Sequence, residues 1–323
     1  MVVKQLIEPD LDQIFLVDSY GYRPKKSALD AVGVTRKRCW KYEWVLEFDI
    51  KGLFDNIDHE LLLRAVRKHV TCKWALLYIE RWLTAPMEHA DGMKVERTRG
   101  TPQGGVVSPI LANLFLHYAF DLWMARTHPD LPWCRYADDG LVHCRKEQEA
   151  QALKAELQAR LAECRLEMHP TKTKIVYCKD GKRKGKYPNT LGYCFRPRLV
   201  RRSQDNSLFW GFNPAVSASA LKSMRATIRD LDLRHRTQLS VGDIARQINP
   251  LLRGWIEYYG RYAPSALEPL LRYVNQTLVA WAIRKFKRFT AHKVRASRFL
   301  QRLARENAKL FVHWRLGMTG TFA

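Results

Sequence analysis

The chain has 323 residues, 46% of them apolar and 11% aromatic, which is enough for two or three cored domains and excludes a disordered chain. Its formal net charge is +23, unevenly placed: residues 1–180 hold 27 Lys and Arg against 25 Asp and Glu, whereas residues 181–323 hold 28 against 7. No apolar run approaches a membrane span, Glu8 and Asp10 stand where a signal peptide needs an apolar core, and seven cysteines without a Cys-x-x-Cys pair argue against a zinc knuckle or a disulfide framework.

The expectation is a soluble, intracellular protein with buried, neutral thiols. A basic excess confined to one part of the chain points to a polyanion facing that part, nucleic acid above all.

Through residue 180, short apolar runs alternate with amphipathic helices, the pattern of a mixed α/β or α+β unit. Trp44 to Ile50 (WVLEFDI) predicts a strand, and Asp58 is placed to cap a helix running on from His59. Asp91-Gly92 marks a hairpin turn. Ser108-Pro109 opens an apolar helix through Trp123, with Pro in the first turn, where its missing N–H costs nothing. Pro132 to Arg145 (PWCRYADDGLVHCR) predicts two short strands joined by a tight acidic turn. An amphipathic helix follows from Glu147 to Met168, with Leu153, Leu157, Leu161 and Cys164 on one face.

Lys179 to Tyr187 is charged and glycine-containing and predicts a loop. Beyond residue 212 the pattern is helical: Ser217 to Leu233, Val241 to Asn249, Leu251 to Tyr259, and a long run from Ser265. There Ser265 and Glu268 have capping-box spacing, and Leu267, Leu270, Leu271, Val274, Leu278 and Trp281 form a core stripe.

Asp138 and Asp139 crowd two like charges into one turn. A divalent cation relieves such crowding: carboxylates suit magnesium, and paired ions clamp both oxygens of an in-line phosphoryl transfer. Asp49, ending an apolar strand, is the natural third carboxylate. Asp55 and Asp58 compete, at turn and cap positions that favour Asp on local grounds. By itself an Asp-Asp turn is more often only a solvated turn.

Its surroundings change that reading. SYGYRPKKSALDA (Ser19 to Ala31), FDIKGLFDNIDHELL (Phe48 to Leu62), RGTPQGGVVSPILANLFL (Arg99 to Leu116), RYADDGLV (Arg135 to Val142), HPTKTKIVYC (His169 to Cys178) and LGYCFRPR (Leu191 to Arg198) follow one another in an order that resembles the reverse transcriptases of mobile group II introns. The resemblance implies an α+β fold: a reverse-transcriptase palm with partial fingers over residues 1–200, then an all-α thumb and maturase domain over residues 201–323. It implies an RNA-directed DNA polymerase that uses an RNA template, a DNA primer and deoxynucleoside triphosphates, and that also binds group II intron RNA as a splicing maturase. The setting it implies is the bacterial cytoplasm, with no membrane partner.

The residues carried over are these. Asp49, Asp138, Asp139 and Lys172 are the catalytic set, and Asp49, Ile50, Asp138 and Asp139 the site for two Mg2+ ions, with Mn2+ as a substitute. Phe54 matches the aromatic under the incoming sugar, Gln103 and Gly104 the loop beside the templating pair, and Lys172 and Lys174 the basic block near the triphosphate. Which of the two lysines is the general acid stays open. Leu191 and Gly192 match the primer-gripping turn. GFNPAVS (Gly211 to Ser217), INPLLRGWIEYYGRY (Ile248 to Tyr262) and LFVHWRLG (Leu310 to Gly317) resemble the maturase domain. In it Arg253, Arg261, Lys285, Lys287 and Arg288 are candidates for phosphates, and Trp255, Tyr258, Tyr259 and Tyr262 for unpaired bases.

The chain departs from the family in three places. Two blocks expected before VVKQLIEP are absent, the lead-in Lys186 to Thr190 is short of an apolar strand, and no endonuclease module with paired Cys and His ligands follows Gly317. The first two bear on polymerisation more than on RNA binding, so a polymerase-inactive maturase or RNA-binding protein is the alternative. Relatives from retrons, diversity-generating elements and CRISPR-associated settings form a third class. GWIEYYGRY argues against the first two of those.

Overall fold

The computed structural model describes residues 1–88, 92–102, 104–178, 189–201, 204–320 and 322. The chain divides into two compact units: Met1–Pro188 with Arg196–Phe212, and Asn189–Phe195 with Asn213–Ala323. Residue 200, the expected end of the first domain, lies within a strand.

In the first unit, α1 (Val2–Ile14) and α2 (Ala28–Lys41) lead into β1 (Trp44–Asp49), α3 (Leu53–Asn56), α4 (His59–His69) and α5 (Lys73–Thr84). A short hairpin, β2 (Met87–Glu88) with β3 (Lys94–Val95), precedes α6 (Ser108–Leu116), a π-turn over His117–Asp121 and α7 (Leu122–Thr127). Then come β4 (Trp133–Tyr136), β5 (Asp139–Cys144), α8 (Glu147–Glu163) and β6 (Lys174–Tyr177). Among the described residues these strands make a sheet in the order β4-β5-β1-β6, with β1 antiparallel to both β5 and β6.

Period-two alternation along β1 decides what each face carries. Leu46 and Phe48 enter the main core with Val142 and Cys144 of β5 and the apolar sides of α1, α4, α6 and α8. Glu47 and Asp49 therefore point the other way. Gly140 stands opposite Phe48 in the register, and a Cβ there would collide with the Phe48 ring. That fit fixes the β1–β5 pairing, because a slip of one residue would bring a side chain under the ring.

The expected elements form with instructive differences. Asp58 caps α4 through the Leu61 N–H at 2.9 Å. Helix α8 stops at Glu163, short of the expected Met168: Arg165 takes φ +59° and Met168 is drawn into a bridge with Ile50. Asp91 of the expected hairpin turn and the expected loop at 179–187 lie outside the described residues.

Three strands, β7 (Asn189–Thr190), β8 (Tyr193–Arg201) and β9 (Leu208–Val216), form a second sheet in that order. The second unit then adds α9 (Ala218–Asp230), α10 (Val241–Tyr259), α11 (Glu268–Lys285) and α12 (Lys293–Glu306) around a core that includes Leu270, Val274, Leu278 and Trp281.

Two expectations are corrected here. The break expected at Pro250 does not occur, and α10 runs through it. Ile248 and Leu252 are buried on either side, and Asn249 bonds Leu310 O and Val312 N, so packing outweighs the lost backbone bond. The Ser265–Glu268 capping box does not form either. A 3-10 turn over Pro264–Leu267 takes its place, and α11 starts at Glu268 with Pro269 in its first turn.

All seven cysteines are free, and burial pushes the Cys134 and Cys144 thiols up to about 12, so they stay neutral. Among the described residues no helix is long and apolar enough to cross a membrane.

Candidate active site

The acidic turn is a two-residue link: Tyr136 pairs with Asp139, leaving Ala137 and Asp138 between them, with Ala137 at φ +55°. The neighbouring register sets Asp49 directly opposite Asp139. Three aspartates, from two strands and one turn, thus stand at one sheet end. Burial raises the pKa of Asp139 to about 6, helped by the charges of Asp138 and Asp49 and opposed by Lys172. Asp138 is raised too, first by burial and then by Asp49.

Lys172 supplies the compensation. Its Nζ donates to Asp49 Oδ2 at 2.8 Å, which holds the ammonium above its usual pKa, while the side chain stays 59% exposed. The segment bearing it is tied to the strand end, where His169 N–H donates to Asp49 O at 2.8 Å. Asp55 is exposed in α3, and Asp58 is committed to its cap and to Arg165, so neither competitor joins the cluster.

Among the described residues no three His, Cys, Asp or Glu side chains converge as a ready ligand set. The donor chemistry nonetheless suits a hard divalent cation: carboxylate oxygens, two of them with pKa raised by burial and by neighbouring carboxylates, with an exposed lysine as counter-charge. Ile50 has its side chain in the core, so only its backbone is available to such a site.

The structure separates the two lysines. Lys174 pairs with Glu47 at 3.2 Å, two residues back along β1 from Asp49 and away from the acidic end. Phe54, half-buried, meets Tyr22 edge-on at 6.3 Å, and Tyr22 lies 6.5 Å from Tyr136, so an aromatic row leads to the acidic turn. Gln103 lies outside the described residues. Gly104 beside it takes φ +79° in open space, whereas Gly105 is packed on Ser108 and Pro102.

In the second unit, Leu191 and Gly192 form the turn between β7 and β8, at φ +55° and +76°. A Cβ on Gly192 would collide with the Tyr259 hydroxyl. Tyr258 donates to Leu191 O at 3.0 Å, and Tyr193, buried beside both rings, donates to Tyr258 O. Tyr258 and Tyr259 are thus occupied in clasping the turn. Trp255 packs on the core.

Among the expected phosphate contacts, Arg253, Arg261, Lys287 and Arg288 are exposed, Arg288 lying over Phe289 at 4.8 Å. Lys285 differs: its ammonium is taken up by Thr237 O and Leu239 O at 2.7 and 2.8 Å, which makes it a clamp between segments.

Two features escaped the sequence reading. Helix α12 exposes Arg295, Arg298, Arg302 and Arg305, spaced three, four and three residues apart, opposite its buried Ala296, Leu300 and Ala304. That spacing was a readable signal of a basic stripe. The other is Arg135, fully buried next to the acidic turn.

The family model for reverse transcriptase (RNA-dependent DNA polymerase) matches residues 1–213, and that for the group II intron maturase-specific domain matches residues 221–299. Protein YkfC of Escherichia coli is 28% identical over 225 residues, 54% of this chain and 55% of that protein. The group II intron-encoded protein LtrA of Lactococcus lactis is 34% identical over 116 residues, 36% of this chain and 19% of that protein. The chain therefore spans about half of the first relative and about a fifth of the second. A telomerase structure from Candida tropicalis, solved with a fragment of telomeric RNA, superposes with a TM-score of 0.50 at 12% identity, covering 99% of this chain and 56% of that one, and shares the fold.

Proposed function

The chain belongs to the reverse transcriptase (RNA-dependent DNA polymerase) family and carries a group II intron maturase-specific domain, and from that premise we propose that it extends a DNA primer on an RNA template and binds intron RNA as a splicing maturase. The observation that carries the reading is Asp49 facing Asp139 across paired strands with Asp138 in the adjoining turn.

In this reading Asp49, Asp138 and Asp139, with the Ile50 backbone, hold Mg2+, or Mn2+ in its place. Bound there, the ions supply Lewis-acid stabilisation to the oxygens of an in-line nucleotidyl transfer. Lys172, exposed and already bonded to Asp49, neutralises charge on the triphosphate and gives a proton to the leaving pyrophosphate. Lys174 keeps Glu47 compensated and stays outside the chemistry. Phe54 lies under the incoming sugar, and the open Gly104, with Gln103, borders the templating base pair. Leu191 and Gly192 take the primer backbone at a turn whose φ of +76° at Gly192 favours glycine.

RNA is held by phosphate contacts from Arg253, Arg261, Lys287, Arg288 and the α12 stripe, exposed cations in the most basic part of the chain. The bacterial relatives favour a cytoplasmic setting. Primer extension on an RNA template, with Asp138→Ala alongside, tests the polymerase reading: synthesis by the chain and at least ~100-fold less by the variant is expected. Salt-sensitive RNA binding that persists in both proteins without any synthesis would leave an RNA-binding maturase only.

A further inference from the structure

We infer that the buried Arg135–Asp121 pair, brought into place by the π-turn, is a positioning device that fixes the Tyr136–Asp139 turn. The inference rests on reading Asp138 and Asp139 as the carboxylates of the reacting site.

Arg135 immediately precedes the turn, and neither its side chain nor that of Asp121 has any exposure. Each N–H of its guanidinium is used. Nε and Nη2 fork onto Asp121 Oδ1 and Oδ2 at 2.8 and 2.7 Å. Nη2 also donates to Ser19 Oγ at 2.8 Å, and Nη1 donates to Asn113 Oδ1 and to Ala137 O, both at 3.0 Å. The last is a carbonyl of the acidic turn itself. Asn113 in turn donates to Gly21 O at 2.7 Å, and a Cβ on Gly21 would collide with Ala137 N. The backbone of the same stretch joins in, with Arg135 N donating to Asp18 O at 3.0 Å and Tyr20 N donating to Arg135 O at 2.8 Å. The turn is therefore held through its carbonyl, its amide side and the strand that enters it.

The helix beneath is shaped for this. Asn113 and Asp121 are eight residues apart, which on a regular α-helix leaves them about 80° apart around the axis. The wider i to i+5 closure over His117–Asp121 unwinds most of that angle, so both side chains reach one guanidinium. An uninterrupted helix would aim Asp121 elsewhere.

Stability alone gives little reason for such a pair, because apolar residues of similar volume hold a core equally well. What a planar fork adds is direction: its donors fix the Ala137 carbonyl within hydrogen-bond tolerance. The turn needs that restraint. It carries two adjacent carboxylates that repel each other and Asp49, and a displacement of about 1 Å at a reacting site costs about 100-fold in rate.

The test uses the full chain with two variants. Arg135→Met with Asp121→Leu replaces the pair by apolar bulk, and Arg135→Lys keeps the charge but loses the fork. Far-UV circular dichroism and thermal melting establish that each is folded. Two readouts follow: primer-extension kcat against KM for the nucleotide, and Mn2+ affinity by electron paramagnetic resonance with an Asp138→Ala, Asp139→Ala protein as blank. We expect kcat to fall at least ~10-fold with KM within ~3-fold, and Mn2+ affinity to fall ~10-fold or more, in both variants. Either folded variant matching the parent in kcat and Mn2+ affinity overturns the inference, and rescue by Arg135→Lys alone reduces the pair to charge balance and overturns it too. A parent chain that does not polymerise but shows the Mn2+ contrast removes the polymerase reading and supports the inference.

Discussion

At the residue scale, the two lysines of the HPTKTK segment differ in what they touch, and substitution should separate them. Lys172 touches Asp49 at the acidic end, whereas Lys174 compensates Glu47, whose side chain is only 12% exposed. Lys172→Ala should lower the single-turnover rate of primer extension by ~100-fold with little change in melting temperature. Lys174→Ala should leave that rate within ~3-fold and lower the melting temperature instead, because a mostly buried carboxylate loses its lysine. The opposite assignment would exchange the two outcomes. His143 offers a second residue-level prediction. It lies fully buried in β5 with neither ring nitrogen hydrogen-bonded among the described residues, and burial drives its pKa from 6.5 down to about 3. The unfolded chain binds a proton below pH 6.5 that the folded chain refuses. Stability is therefore complete above 6.5 and falls with pH through the window from 6.5 to about 3. His117 and His313, held neutral by burial down to about 4 and about 3, add slopes of the same sign. Denaturant unfolding of His143→Leu between pH 7 and pH 5 should show a slope shallower by up to one proton, about 1.4 kcal/mol per pH unit.

At the element scale, the β7–β8 turn is held by side chains that sequence reading assigned to RNA. Gly192→Ala forces a Cβ against the Tyr259 hydroxyl at a φ of +76° and should cost ~1–3 kcal/mol in urea unfolding. Tyr259→Phe removes the colliding oxygen, so the double variant should recover part of the loss, with a coupling of ~0.5 kcal/mol or more. Strict additivity would mean that the two groups do not meet. This turn illustrates what was legible beforehand. Strand β1, the capped start of α4, the acidic hairpin and the leucine stripe of α11 were readable because period, cap and turn chemistry are local properties. The third carboxylate was readable as a strand end, but its place opposite Asp139 depends on how Gly140 seats Phe48. The choice between Lys172 and Lys174 depends on how β6 registers on β1. The tyrosines near residue 258 looked like stacking platforms because exposure cannot be read from spacing at the end of a helix. Pro250 and Ser265 misled for the opposite reason: their local rules were sound, and tertiary packing and the neighbouring prolines overrode them. The π-turn and the saturated Arg135 had no local signature.

At the scale of the whole molecule, the charge distribution is the property with the widest consequence. The excess of 28 basic over 7 acidic residues after position 180 is concentrated, among the helices, on α12, which sets Arg295, Arg298, Arg302 and Arg305 along one face and holds Glu306 as its only acid. Arginines one helical turn apart meet successive phosphates at about 5.4 Å spacing, and the opposite face is already spent on the core. Binding through such a stripe releases counterions, so the logarithm of affinity should fall linearly with the logarithm of salt, by about 0.7–0.9 per neutralised phosphate. Arg298→Glu with Arg302→Glu should lower RNA affinity by at least ~10-fold and flatten that slope by about 1.4–1.8, while melting temperature is unchanged, because both side chains are exposed. Filter binding across a salt series measures both quantities at once. Asp138→Ala should leave them alone, since its carboxylate sits in the acidic turn of the other unit. A slope that stays the same in the α12 variant would show that the phosphates lie on other cations of the second unit, Arg253, Arg261, Lys287 and Arg288 first among them.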